Sequence, residues 1–431
     1  MKAPSVTPGM LALFRNRTWR SIAVLLAGAA AGQLITLLSA PLLTRIFSPE
    51  VFGQAGTVLA IASIGMPVAG LCYPLAMVLA TNDREALALG RLSLAIGVLL
   101  SVLAALGIGL LYPSGEGSWG VSRGLLMLVP LLMCLAVVAG VLEQWANRRS
   151  LFAISARVSF AKSVAGNGGK VLGGLLAPLS MTLVLMSLVA EAVAAVLFAG
   201  WLKGTAALQG QGQPVRWWPL MVKYRQFPLF RAPQVLISCL SLAVPVLLLG
   251  TWYGPAAVGF FVLARSVIAA PSLLIGKAVG DVFYPLLARA DQDKLPLLPF
   301  QLKAVSLLAL AGAVPLLIAL SAAPELFAVL FGDGWQMAGD HARWMALWFY
   351  FTLVGVPCVN LLPILHAQRS HLIFTCFSAA ARGLLMYWAC AVADLGAATS
   401  VALYCISGAV LNALLMLWVL WLAARRDKLL R

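Results

Sequence analysis

Apolar runs of roughly twenty residues alternate along this chain with short polar or basic segments. At about 1.5 Å of rise per residue, each run is long enough as a helix to cross the ~30 Å hydrocarbon layer of a bilayer. In order, they cover Ser21–Thr44, Pro49–Ala80, Leu92–Tyr112, Gly124–Trp145, a polar-striped run closing near Pro178, and Met181–Leu202. A second set follows: Ala232–Gly250, a run opened by Gly254-Pro255, Ala304–Ala323, Trp344–Leu365, Leu372–Ala393 and Leu395–Ala424. The pattern predicts an all-α polytopic membrane protein with twelve transmembrane helices. Ser48-Pro49-Glu50 supplies an N-cap, a proline for the first turn and an acid for the positive dipole end, so the second span starts there. Pro67 and Pro74 predict kinks in it. Glu325–Arg343 reads as an outer loop with a turn at Gly332-Asp333-Gly334 and a candidate surface helix.

One run departs from the apolar pattern. Ser155, Ser159, Ser163 and Asn167 recur at every fourth residue, with Lys162, Gly166 and Lys170 beside them. On a helix this forms a polar stripe several turns long. Lipid does not solvate such a stripe, so it should face water or substrate inside a bundle. The packing alternative is that small residues let helices approach and serine hydroxyls bond back to their own backbone. Arg157, Arg265, Lys277 and Arg382 are further cations within spans. Each intramembrane charge costs about 2.5–3.5 kcal/mol on insertion scales. An anionic ligand would account for them; pairing or snorkelling is the alternative, especially for Arg157 and for Lys277 with Asp281 four residues on. Lys162, Lys170, Arg265 and Arg382 have no acid nearby in sequence. Glu143, Glu191 and Asp281 are the intramembrane acids. They are the candidates for holding a coupling proton or sodium ion, with simple charge balance as the competing role.

Composition agrees with the pattern and settles the topology. Of 431 residues, 62% are hydrophobic and only 10% charged, far below the quarter usual in soluble domains. The net charge of +16 would suggest nucleic acid in a soluble protein, but here it reads as the basic bias of cytoplasmic loops. With both termini inside, only Arg45, Arg123 and Arg343 fall in outer segments, and six cations lie within spans. The seven cysteines all sit in apolar runs, and the three histidines form no cluster, so no metal site is expected. No phosphate loop, zinc-protease motif or nucleophile elbow occurs, and nothing argues for an enzyme or for catalytic residues.

The two sets of six spans echo each other. Pro49–Gly53 (Pro-Glu-Val-Phe-Gly) matches Pro255–Gly259 (Pro-Ala-Ala-Val-Gly), and Arg149-Ser150 matches Arg369-Ser370. At the second offset Lys162 falls on Arg382. Six is even, so both halves enter the membrane the same way round, and the repeat is parallel, with a pseudo-twofold axis along the membrane normal. The division predicted is an N-terminal six-helix bundle over 1–202, a basic cytoplasmic linker over 203–231 and a C-terminal six-helix bundle over 232–431. Transporters with such repeats usually place substrate between the halves, which would make Lys162 and Arg382 facing partners.

Three stretches carry a family resemblance. Ser48-Pro49-Glu50-Val51-Phe52-Gly53 resembles the Pro-Glu-x-Phe-Gly motif of bacterial polysaccharide-unit flippases of the Wzx, or polysaccharide-transporter, type. Leu330–Gly339 resembles that family's outer loop before span ten, and Leu142–Arg149 the end of its fourth span. The resemblance implies the multidrug/oligosaccharidyl-lipid/polysaccharide exporter fold and alternating access. It further implies a bacterial inner-membrane flippase of polyprenyl-pyrophosphate-linked oligosaccharide, serving O-antigen, capsule or exopolysaccharide synthesis. Partners would then be the lipid bilayer, that lipid-linked substrate, and polysaccharide polymerase and chain-length proteins. No cofactor is expected beyond a coupling proton or sodium ion. Lys162, Lys170, Arg265, Arg382, Arg157 and Lys277, with Ser163 and Asn167, are the expected substrate-binding residues. Three rivals stand beside this. A peptidoglycan-precursor flippase would be expected to have about two more spans and basic residues in its first helices, and neither is seen. A multidrug exporter of the same superfamily would need an acidic or aromatic cavity for organic cations, whereas span cations here outnumber acids. A membrane glycan polymerase or ligase would need large outer loops, which are not evident.

Overall fold

The computed structural model describes residues 17–112, 115, 117–203, 217–365 and 367–429; side chains are not described for 17–27, 29, 202–203 and part of 273–292. The expectations for Lys277 and Asp281 concern side chains outside the described set, and residues 204–216 of the 203–231 linker lie outside it too.

Twelve helical passes are present among the described residues. They begin with α1 (Arg17–Ile46), the broken pair α2 (Pro49–Gly65) and α3 (Tyr73–Leu79), α4 (Asp83–Leu111), α5 (Leu128–Arg148), α6 (Phe152–Leu176) and α7 (Ser180–Lys203). A short helix α8 (Trp217–Lys223) intervenes. Then come α9 (Ala232–Trp252), α10 (Gly254–Gln292), α11 (Leu298–Phe331), the pair α12 (Gln336–Val354) and α13 (Val356–Leu361), α14 (Gln368–Ala391) and α15 (Ala397–Leu429). Among the described residues, nine segments are long and apolar enough to cross a membrane. The polar-striped α6 is not among them, although it is a continuous 25-residue helix. Along α11, Leu307, Leu310, Val314 and Leu317 are all more than 60% exposed and share one helix face. Such a stripe is stable only against lipid.

Three local features differ from the sequence reading. The second pass is broken rather than kinked. Helix α2 stops at Gly65, Leu71 and Cys72 take positive φ, and α3 restarts with Pro74 in its first turn. Pro67 lacks an N–H to continue the ladder, and a proline at the start of a helix costs nothing there. The expected loop over 325–343 is almost entirely helical. Helix α11 runs on to Phe331, Gly332 at φ 101° ends it, and a single turn over Asp333–Trp335 leads into α12. Only the Gly332 turn was correctly placed, because a left-handed stop is what glycine supplies. Likewise α10 continues to Gln292, a few residues into the expected inner loop that begins at Arg289.

The chain separates into two compact units. One comprises 1–39, 61–117 and 122–236; the other 40–60, 118–121 and 237–431. In the first, Asn82 caps α4 by accepting from the Glu85 N–H at 2.8 Å. Asp83 pairs with Arg148 at 3.1 Å and Arg149 at 2.6 Å. Arg148 also donates to the Met77 and Ala80 carbonyls at 2.9 and 2.7 Å, closing the open end of α3. Lys223 of α8 bonds Glu85 at 2.6 Å, and that bond raises the Lys223 ammonium above its ordinary value.

In the second unit the two repeat motifs meet. A Cβ on Gly53 would stand 1.7 Å from the Pro255 carbonyl oxygen, and one on Gly259 would stand 2.1 Å from that of Pro49. Each glycine lets the other copy's backbone approach, so both must remain glycine for the helices to cross there. Trp335 anchors the same region. It is buried, it stacks edge-on against Phe52 at 5.5 Å and Phe260 at 5.9 Å, and its Nε1 donates to the Thr44 carbonyl at 2.9 Å. Two of the three sequence stretches that carry the resemblance, Ser48–Gly53 and Leu330–Gly339, are therefore packing elements.

Candidate binding cavities

Each unit holds a cavity beside its fifth pass. In the first unit a cavity of about 310 Å³ is lined by Glu143 of α5, Ser155, Ser159 and Lys162 of α6, and Glu191 of α7. Lys162 Nζ lies 2.5 Å from Glu191 Oε1. Lys162 has no acid nearby in sequence, yet it is paired in space: the acid is 29 residues away, on the neighbouring helix. Glu143 is near enough for its charge to interact with both. A lysine and two carboxylates thus share the space.

The polar stripe of α6 divides between two surfaces. Ser155 and Ser159 face the cavity, but Ser163 and Asn167 face α1. Asn167 Nδ2 donates to Thr36 Oγ1 and to the Ser163 carbonyl, both at 3.0 Å. Cβ atoms on Gly28 and Gly32 would clash with Ala156 and the Ser163 hydroxyl at 2.7 and 2.6 Å. Gly28, Gly32 and Thr36 form a small-residue face, and the two helices close on it. Here the packing alternative describes Ser163 and Asn167, and neither lines the cavity. Arg157 is exposed on another side of α6, its guanidinium 5.8 Å from the Trp201 ring centroid. That is the snorkelling arrangement. Lys170 lies about two turns beyond Lys162 and makes no ion pair or hydrogen bond among the described residues.

The second unit's cavity, about 340 Å³, is lined by Ser241, Trp348, Thr352, His371, Ser378, Arg382 and Asn412, among others. Arg382 is only 8% exposed. Its guanidinium carbon lies 3.9 Å from the Trp348 ring centroid and 4.0 Å from that of Tyr404. Its Nε and Nη2 have no hydrogen-bond partner, and no carboxylate pairs with it among the described residues. Gly408 makes room for it: a Cβ there would be 3.0 Å from Nε and 2.9 Å from the Trp348 ring. Arg265 donates to the Leu242 carbonyl at 3.0 Å, and its charge reaches Arg382 and Tyr404. Asn412 donates to Thr352 Oγ1 at 2.8 Å on the cavity wall.

The structure therefore brings Lys162, Glu143 and Glu191 together in one unit, and Arg265 and Arg382 in the other. Trp348, Tyr404, Gly408, Thr352 and Asn412 were not foreseen. The available signal was aromatic residues in the middle of apolar spans rather than at their ends, where membrane-interface aromatics gather.

These cavities sit in an all-α, multi-pass membrane protein of twelve helical passes with an internal repeat. A family model described as "polysaccharide biosynthesis protein" matches residues 42–339, well over half the chain, and the chain belongs to that family. No curated protein matches it by sequence. Among solved structures, the lipid II flippase MurJ in an inward closed conformation is 11% identical, with 93% of this chain and 89% of that chain covered and a TM-score of 0.68. An inward-facing multidrug resistance MATE family transporter of the MOP superfamily is 16% identical over 96% and 99%, with a TM-score of 0.63. A MOP superfamily transporter from Pyrococcus furiosus, described as having a binding pocket of reversed polarity, is 15% identical over 99% of each chain, with a TM-score of 0.59. The fold is thus the twelve-span, two-repeat bundle of that superfamily.

Proposed function

We propose that this protein is a flippase that moves polyprenyl-pyrophosphate-linked oligosaccharide units across a bacterial inner membrane by alternating access. Membership of a polysaccharide biosynthesis family supplies the glycan context. Fold likeness to a lipid II flippase is consistent with a lipid-linked cargo.

The observation that carries the reading is Arg382. Burying an ionised guanidinium without a counter-charge is costly, and aromatic faces offset only about 0.5–2 kcal/mol of that cost. A cavity wall holding such a group, with Arg265 close by, is short of negative charge. A pyrophosphate bound there would supply that charge and accept charge-assisted hydrogen bonds in a low-dielectric setting. The hydroxyl and amide groups of Ser241, Ser378, Thr352 and Asn412 are suited to sugar or phosphate oxygens. Organic cations, the cargo of the multidrug reading, would be repelled at this wall.

The test is translocation of a fluorescent polyprenyl-pyrophosphate oligosaccharide in proteoliposomes, beside surface-glycan export in cells. Arg382→Ala should lower translocation by about ten- to a hundredfold, the worth of a charged hydrogen bond of about 1.5–3 kcal/mol. Full translocation by Arg382→Ala combined with Arg265→Ala would refute the headgroup role.

A further inference from the structure

The two cavities present their cations differently, and the first has a consequence for protons. Lys162 is not free to meet an anion. Glu191 already holds it at 2.5 Å, across a cavity wide enough to admit a phosphate-sized group. Glu143 from α5 lines the same space. The wall contributed by Met66 and Pro67 is uncharged, and Lys170 on α6 itself is about two turns away. An anion approaching Lys162 therefore meets two carboxylates and a single ammonium.

We propose that Lys162 is a masked anion site, and that a phosphate-bearing ligand binds there together with a proton taken up by Glu191. The step is a simple exchange of partners. The ligand's oxygen replaces Glu191 Oε1 at the Lys162 ammonium, and the released carboxylate takes a proton from bulk water, becoming a neutral acid. Without that proton, the ligand and two carboxylates would crowd a single cation in a low-dielectric space. Binding and protonation are then linked, each strengthening the other. This rests on the flippase reading and adds to it the way a proton would accompany the cargo. The same partner exchange does not apply at Arg382, which has no carboxylate to displace among the described residues.

The experiment uses purified full-length protein in nanodiscs with farnesyl pyrophosphate as probe. Calorimetry in buffers of different ionisation enthalpy reads the protons taken up per ligand bound. Subtracting the Glu191→Gln result removes the probe's own titration. Wild type should take up close to one proton more than Glu191→Gln, and its affinity should tighten by up to about tenfold per pH unit on acidification, the slope of one linked proton. In Glu191→Gln that additional pH dependence should vanish. Lys162→Met should lose the linkage as well, which gives a second readout if Glu191→Gln folds poorly. Equal proton uptake by wild type and Glu191→Gln would overturn the inference, as would linkage that disappears in Glu143→Gln but persists in Glu191→Gln. Failure of wild type to bind the probe at all would instead overturn the flippase reading.

Discussion

Lys162 and Arg382 occupy matching places in the fifth pass of each half, yet their surroundings are opposed. Lys162 stands among carboxylates and is bonded to one of them. Arg382 stands between two aromatic faces, with no acid bonded to it among the described residues. The side chains suit these settings. A lysine ammonium is a compact point charge on a flexible stem, able to exchange partners. A guanidinium is planar, stacks on rings and holds its charge through all physiological pH. One sequence position, duplicated, holds a carboxylate-paired lysine in one unit and a ring-stacked arginine in the other. An internal repeat conserves the location of a charge without conserving its availability.

The largest expected effect separates the two positions directly. Arg382→Ala removes a charge that nothing nearby offsets, whereas Lys162→Ala also removes the partner of Glu191. Affinity for farnesyl pyrophosphate should fall by about ten- to a hundredfold in Arg382→Ala. In Lys162→Ala it should fall less at neutral pH, because that charge is already committed to Glu191. Equal losses in calorimetric titrations would erase the distinction between an open and a masked site.

A smaller effect tests the aromatic setting. Arg382→Lys keeps the charge but loses the planar stack, and Trp348→Leu keeps the arginine but removes one face. Each should cost about 0.5–2 kcal/mol, or roughly two- to thirtyfold in affinity. Gly408→Ala should act in the same direction by crowding the guanidinium against Trp348. The corresponding comparison in the other unit, Lys162→Arg, should weaken binding only modestly, since the cation there is held by Glu191 and not by stacked rings. A Trp348→Leu variant with unaltered affinity would reduce the aromatic pair to core packing.

The sequence made much of this legible. Apolar runs located the twelve passes, because a run of ~20 residues has few alternatives in a membrane. The repeat offset placed Lys162 on Arg382 without any structure. Rotation of each helix about its own axis was not legible. Four residues advance a helix by about 400°, so a stripe at that spacing drifts roughly 40° per step. Between Ser155 and Asn167 the drift amounts to about a third of a turn, enough to move from the cavity to the α1 contact. The Lys162–Glu191 pair was hidden for the same reason, since it depends on the facing sides of two helices. The broken second pass was half visible: two prolines marked it, but the positive φ falls on Leu71 and Cys72 and not on the adjacent Gly70.

The smallest expected effect concerns the half of the stripe that left the cavity. Asn167→Ala removes the hydrogen bonds to Thr36 and the Ser163 carbonyl. Such bonds between membrane helices are worth about 0.6 kcal/mol on average, because the separated helices find other partners. Thr36 still donates to the Gly32 carbonyl at 3.1 Å, so its hydroxyl is not left stranded. Thermal stability in detergent should therefore drop by a few degrees, while translocation changes less than about twofold. Arg157→Gln should likewise spare translocation, because the guanidinium lies over Trp201 and outside the cavity. Ser155→Ala, by contrast, touches the cavity wall and should act on binding rather than on stability. A tenfold loss of translocation in Asn167→Ala at unchanged melting temperature would return Asn167 to the substrate path, and with it the view that the whole stripe on α6 faces water.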